Sequence, residues 1–119
     1  MGFTYKRITV CHAFEPHRST EVNLLVDTGA LLSFVPRAVL QELGIPVSFR
    51  RAFRLVKGQV MERDAGVAIF RWNGHEGAAQ VVFGEPGDES LLGVTALETM
   101  GLAVDPTTQS LKDADTYRA

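Results

Sequence analysis

The residues best suited to chemistry in this chain are Asp27, Thr28 and Gly29. They follow Leu24-Leu25-Val26 and run into Ala30-Leu31-Leu32, with Phe34 and Val35 close behind. An ionised carboxylate among apolar neighbours is expensive unless something satisfies it. The position therefore reads as an acid held for chemistry at the end of a buried strand, at a turn that the glycine makes possible. Asp, Thr and Gly are also ordinary turn residues, and the tripeptide alone favours the plainer reading of a strand followed by a turn. Both readings stay open until the rest of the chain is considered.

Other chemistry-bearing residues are scattered. Cys11, His12 and His17 lie on one strand and its loop. Three candidates at that spacing match no common zinc pattern, so no metal is expected. His75 sits in the Asn73-Gly74 turn and is expected to be solvated. Asp64, Asp88 and Asp105 lie in turn-like or polar settings, and Asp105, before Pro106, reads as structural. No Ser–His–Asp or Cys–His arrangement for a covalent mechanism is visible, and no cofactor is expected.

Bulk properties narrow the classes. A length of 119 residues suggests one domain with a modest core, and 45% hydrophobic with 22% charged residues is ordinary for a globular protein. The net charge of −2 offers no bulk attraction for nucleic acid or an anionic membrane. Arg50, Arg51, Arg54 and Lys57 form a small basic patch, read as a solvated strand face. A single cysteine excludes an intrachain disulfide. No apolar run approaches the roughly 18 to 20 residues of a membrane span, and the N-terminus lacks a signal-peptide core. A cytoplasmic protein without nucleic-acid or membrane partners is the expectation.

The elements that must position Asp27 are mostly strands. Residues 3–10 alternate around Phe3, Tyr5, Ile8 and Val10, and residues 21–27 form a more buried second strand. Ser33-Phe34-Val35 is a short third strand. Pro36 then starts a helix with Val39, Leu40 and Leu43 as its stripe and Gly44 as its stop. From about Val47 to Gly84 the pattern is strands only. Lys57-Gly58 reads as a two-residue hairpin tip, Gly66 as a bulge and Asn73-Gly74 as a second hairpin turn. Leu91-Leu92-Gly93 precedes a short helix stopped by Gly101, and Leu102–Val104 is a further strand. A polar tail runs from Lys112 to Ala119, and is expected to fray. An apolar run, a glycine turn and a glycine-stopped helix thus occur twice, the second time without an acid.

This ordered set resembles the retropepsin-like aspartic proteases, the single-domain retroviral proteases and their cellular relatives. The matching residues are Leu25-Val26-Asp27-Thr28-Gly29-Ala30 and, some sixty positions on, Leu91-Leu92-Gly93, with a hairpin around Lys57-Gly58 between them. Small stand-alone prokaryotic members are the nearer likeness, through the proline-started helix Pro36 to Leu43-Gly44 and the segments Gly93–Leu97 and Gly101–Pro106. The resemblance covers about residues 2–111 and implies a mainly β, single-domain fold: a closed, barrel-like sheet with a flap hairpin and one or two short helices. It implies a protease domain at 1–111 followed by the tail at 112–119.

The resemblance also implies an activity. Such enzymes hydrolyse peptide bonds with two carboxylates sharing one proton, and this chain offers one such acid. A homodimer that brings Asp27 from each copy to a two-fold axis is therefore implied. Thr28 would tie the two loops together, and the Gly29 N–H would hold the carboxylate. Ala30, Leu32, Leu92 and Gly93 would line apolar pockets, with Val56, Lys57, Gly58 and Gln59 as the lid over a peptide or protein substrate. Two features depart from the retroviral pattern. An acid–arginine pair near the dimer interface is replaced by Leu31-Leu32 and Val94-Thr95, and the flap has only Gly58 near its tip. A peptide-binding or assembly module on the same fold, without turnover, is the alternative. A different β-rich domain with Asp-Thr-Gly as a plain turn is the third reading. The acid favours the enzyme, because a pure binder does not need one there.

Overall fold

Alternating apolar strands with short turns fold here into one large closed sheet and a separate two-stranded one. The computed structural model describes residues 4–114. In chain order the elements are β1 (Tyr5–His12), β2 (Ser19–Val26), β3 (Ser33–Pro36), α1 (Arg37–Glu42), β4 (Phe49–Arg54), β5 (Val60–Trp72), β6 (His75–Gly84), β7 (Leu91–Leu92), α2 (Val94–Met100), β8 (Leu102–Val104) and β9 (Leu111–Asp113). The main sheet runs β1-β2-β7-β3-β6-β5-β4, and β1 pairs again with β5. That second pairing, from Thr9 opposite Arg71 to His12 opposite Ala68, closes six strands into a ring and leaves β4 outside as an edge. Closure satisfies backbone groups that an open edge would leave unpaired. The mainly β, barrel-like architecture expected from the sequence is present.

The core follows from the strand alternation. Ile8, Val10, Leu24, Val35, Phe70, Val81, Phe83 and Leu92 are buried, with Leu40 of α1 and Ala96, Leu97 and Met100 of α2 packed onto them. A smaller cluster of Leu32, Phe34 and Val82, joined by Phe53, Met61 and Leu91, lies apart from it. Among the described residues, no helix is long and apolar enough to cross a membrane.

The turns carry most of the differences from the sequence reading. Asn73 and Gly74 have φ values of 50° and 87°, as a two-residue hairpin turn twisting with its strands requires. The other hairpin has a three-residue loop, not a two-residue tip. Leu55 bonds Gln59, and the Gly58 N–H donates to the Leu55 carbonyl, leaving Val56, Lys57 and Gly58 as the loop. Gly58, at φ 84°, supplies the left-handed residue that such a loop needs at its end. Gly66 is not a bulge, since the β5–β6 register runs unbroken from Ala65 opposite Val82 to Val67 opposite Gln80. Its reason is close approach: a Cβ there would lie 2.6 Å from the Pro46 carbonyl oxygen.

Pro36 is the residue preceding α1 rather than its first, and β1 begins at Tyr5, with Phe3 outside the described residues. At the C-terminal end, Lys112 and Asp113 pair with Ala103 and Leu102, so the expected fraying does not begin at 112, and 115–119 lie outside the described residues.

Gly66→Ala is expected to lower stability by about 2–3 kcal/mol, as overpacking against backbone that cannot rotate away does. Gly58→Ala, where a Cβ meets nothing within 4 Å, should cost only the left-handed strain of about 1 kcal/mol. Urea denaturation of the two variants checks the order, and equal losses would contradict the close approach at Gly66.

Candidate active site

Asp27 is the first residue beyond β2, and three elements hold it there. β7 threads between β2 and β3, parallel to β2 with Val26 opposite Leu92, and meets β3 at Leu91 opposite Phe34. The Asp27 N–H donates to the Leu92 carbonyl at 3.0 Å, extending that ladder onto the acid itself. The Gly29 N–H donates to Asp27 Oδ1 at 2.9 Å, as the sequence led one to expect. Gly29 is not in the left-handed region. A Cβ on it would lie 3.2 Å from Asp27 Oδ1, so the glycine provides room for the carboxylate rather than an unusual turn.

The loop after Asp27 is tied to the start of α2. The first N–H groups of a helix have no partner within it. Here the Val94 N–H donates to the Ala30 carbonyl at 2.8 Å and the Thr95 N–H to the Leu31 carbonyl at 3.1 Å. Ser33, buried on β3, accepts the Gly93 N–H on its Oγ at 2.9 Å. A Cβ on Gly93 would lie 2.6 Å from the Leu32 carbonyl, so only glycine lets helix and loop approach this closely.

Beside this loop opens a cleft of about 550 Å³. It is lined by Gly29, Ala30, Leu31, Leu32, Phe34 and Thr95 from the Asp27 loop, β3 and α2, and by Arg51, Ala52, Phe53 and Gln80 from β4 and β6. Two of its lining rings, Phe34 and Phe53, pack against each other with centroids 5.2 Å apart, and with Leu32 they form its apolar part, its floor. Of the residues expected to bind substrate, Ala30 and Leu32 therefore meet in the cleft with Gly29. Leu92 does not line it, being fully buried in the main core, and Gly93 is packed behind the loop. Both act as its support. Val56, Lys57, Gly58 and Gln59 are exposed at the hairpin loop and outside the cleft lining. The wall comes instead from the middle of β4. Phe53 and Gln80 carry only the generic signal of alternating strands, which is why sequence reasoning passed over them. Asp27 is half-buried, Thr28 and Gly29 are exposed, and among the described residues no second carboxylate bonds to Asp27.

The remaining candidates hold the scaffold. His75 is not solvated: its Nε2 pairs with Asp113 Oδ1 at 2.7 Å and its Nδ1 lies 3.1 Å from the Met100 carbonyl, joining β6 to α2 and β9. His12 Nδ1 accepts the N–H groups of Phe14 and Glu15, and Cys11 is buried, which pushes its thiol pKa up. Asp105 accepts the N–H groups of Thr107 and Thr108, a turn role as expected.

The basic patch is not simply solvated. Arg50 pairs with Asp64 at 2.7 Å, and Asp64 also meets Arg37, which in turn reaches Glu85. Arg63 grips both oxygens of Asp88, at 2.8 and 2.9 Å. A second cleft of about 450 Å³ runs along these residues, from Pro36 and Arg37 to Asp88. Arg37 and Asp88 on its lining are already paired, and no residue of the Asp27–Leu32 loop lines it, so it is the weaker candidate for chemistry.

The family model described as aspartyl protease matches residues 17–96, well over half of the sequence, and the chain belongs to that family. Among solved structures, a retropepsin-like aspartic protease from Rickettsia conorii is similar, with 22% identity and a TM-score of 0.47 over 87% of this chain and 85% of that one. No curated protein matches.

The ion pairs set a pH dependence. Arg37 beside Asp64, and Arg63 beside Asp88, hold those carboxyls below the usual aspartate value of about 3.9. In the window below that value the unfolded chain binds more protons than the folded one, so stability there rises with pH. It is lost as pH falls from about 4 through the lowered folded values. The urea midpoint should drop from pH 5 to pH 3. Asp88→Asn should be less stable at pH 5 yet lose less over the interval, and an unchanged slope would contradict the assignment.

Proposed function

We propose that this chain is an aspartic endopeptidase that acts as a homodimer, with Asp27 from each copy meeting on a two-fold axis. The observation that supports this most is the half-buried Asp27 carboxylate, fixed by the Gly29 N–H, with exposed Thr28 beside it and the Gly29–Leu32 loop that follows lining an apolar cleft. One chain supplies one such carboxylate, and the chemistry needs two. A symmetric pair satisfies the need with identical surfaces. Thr28 hydroxyls are then available to tie the two loops across the axis.

Two carboxylates about 3 Å apart hold one proton between them. The ionised member takes a proton from a water as the water oxygen bonds to the scissile carbonyl carbon, and the protonated member donates to the carbonyl oxygen. The roles then reverse: the carbon–nitrogen bond breaks, and the leaving amine takes a proton from the pair. Neither metal nor covalent intermediate is required. Val56, Lys57, Gly58 and Gln59, at the loop of the β4–β5 hairpin, are the proposed lid, and closing it over substrate would exclude water. The protease domain is taken as residues 1–111, with the polar tail after it. The single, buried cysteine suits a reducing compartment, and we assign the activity to the cytoplasm.

Asp27→Asn should abolish peptide cleavage while circular dichroism stays that of the wild type. In a tandem of two copies joined by a flexible linker and assayed dilute, Asp27→Asn in one copy should also abolish it. Half the activity remaining there would mean that each copy works alone.

The pH–rate profile should be bell-shaped with its optimum on the acid side of neutral, reporting the pair as a coupled unit. Rates still rising above about pH 8 would point to a metal or nucleophile mechanism instead.

A further inference from the structure

Most arginines of this chain already have a partner. Arg7, Arg18, Arg37, Arg50, Arg63 and Arg71 each lie within 3.3 Å of a carboxylate. Arg51 and Arg54 differ: among the described residues no carboxylate pairs with either, and of the two only Arg51 lines the cleft beside the Asp27 loop. Arg51 Nε and Nη2 donate to Gln80 Oε1 at 3.1 and 3.0 Å, and its guanidinium carbon sits 4.8 Å from the centre of the Phe49 ring. Both contacts orient the guanidinium plane, and neither neutralises it. A guanidinium has five N–H donors, and the amide oxygen takes two. The free edge belongs to a residue that lines the cleft beside Asp27.

The cleft therefore combines an apolar floor, Leu32, Phe34 and Phe53, with one oriented, unpaired cation at its side. An apolar side chain would fill the floor and leave the cation hydrated. A side chain with a short apolar stem and a terminal carboxylate satisfies both. We propose that this cleft selects a glutamate side chain of the peptide substrate. Its methylenes lie on Leu32, Phe34 and Phe53, and its carboxylate accepts the free N–H groups of Arg51, which is thereby the specificity-determining residue. Arginine suits the task because its fork matches both carboxylate oxygens, and Gln80 and Phe49 remove much of the rotamer freedom that binding would otherwise cost. Aspartate, one methylene shorter, loses reach from floor to cation. This inference rests on the peptidase reading above and names its substrate class.

The test uses peptides that differ only in carrying glutamate, glutamine, leucine or lysine at one position, moved in turn through the positions flanking the cleaved bond. At the position seated in this cleft, the wild-type kcat/KM should favour glutamate over glutamine by about tenfold or more, the scale of a hydrogen bond to a charged group. Arg51→Gln should bring that ratio close to one, and Arg51→Glu should turn the preference towards lysine. The same peptides, titrated by fluorescence anisotropy onto Asp27→Asn protein, read the preference without turnover. Selective binding with no cleavage by the wild type would sink the peptidase reading and leave the subsite standing. A wild-type ratio near one at every position, or an equal ratio in wild type and Arg51→Gln, would overturn the subsite. The wild-type ratios decide the matter alone if circular dichroism shows that either variant does not fold.

Discussion

Two backbone hydrogen bonds, from the Val94 and Thr95 N–H groups to the Ala30 and Leu31 carbonyls, are the constraint on which the site depends. They satisfy donors that the start of α2 would otherwise leave without partners, which is why that helix needs no side-chain cap. In the same act they fix the loop carrying Asp27. The bonds form only because Gly93 has no Cβ, as one would meet the Leu32 carbonyl at 2.6 Å. The buried Ser33 hydroxyl then satisfies the Gly93 N–H, so that the close approach leaves no donor stranded in the core.

The closed sheet gives this junction something rigid to stand on. β7 is only two residues long, yet it pairs on both sides, with β2 and β3. A two-residue strand has little stability by itself. Here Leu92 anchors it in the main core while Leu91 packs on the separate cluster beneath the cleft. The acid is therefore held by a framework whose members are themselves buried, while Thr28 and Gly29 of its loop remain exposed.

Charge is distributed to match. Around the second cleft, acids and arginines neutralise one another through Arg37–Asp64, Arg37–Glu85 and Arg63–Asp88. Arg51, on the exposed edge strand β4, is instead held by an amide and an aromatic ring. Partly buried paired charges serve the scaffold at modest net gain. An oriented cation left unpaired beside an apolar floor retains its capacity to recognise an acid.

Much of this was legible in the sequence because it is local. Alternation marked the strands, Asn73-Gly74 marked a hairpin, and Gly44 and Gly101 marked helix ends, each through the backbone preference of the residue concerned. Asp27-Thr28-Gly29 at the end of an apolar run, with Leu91-Leu92-Gly93 far downstream, pointed to the family. Contacts between distant segments were not legible. Gly66 resembled a bulge because nothing local reveals that the Pro46 carbonyl will sit against it. His75 resembled a solvated turn residue because Met100 and Asp113 reach it only after α2 and β9 have docked. Leu92 resembled a pocket residue because an apolar side chain next to a functional loop can face either way, and the parallel pairing with β2 turns it into the core. The sequence by itself determined the strand order of events, the helix stops and the single acid. Tertiary structure alone decided that Phe34, Phe53, Arg51 and Gln80 share one cleft with the Asp27 loop. The physical reason is that side-chain facing on a strand is set by which neighbours it pairs with, and those neighbours here lie tens of residues apart along the chain.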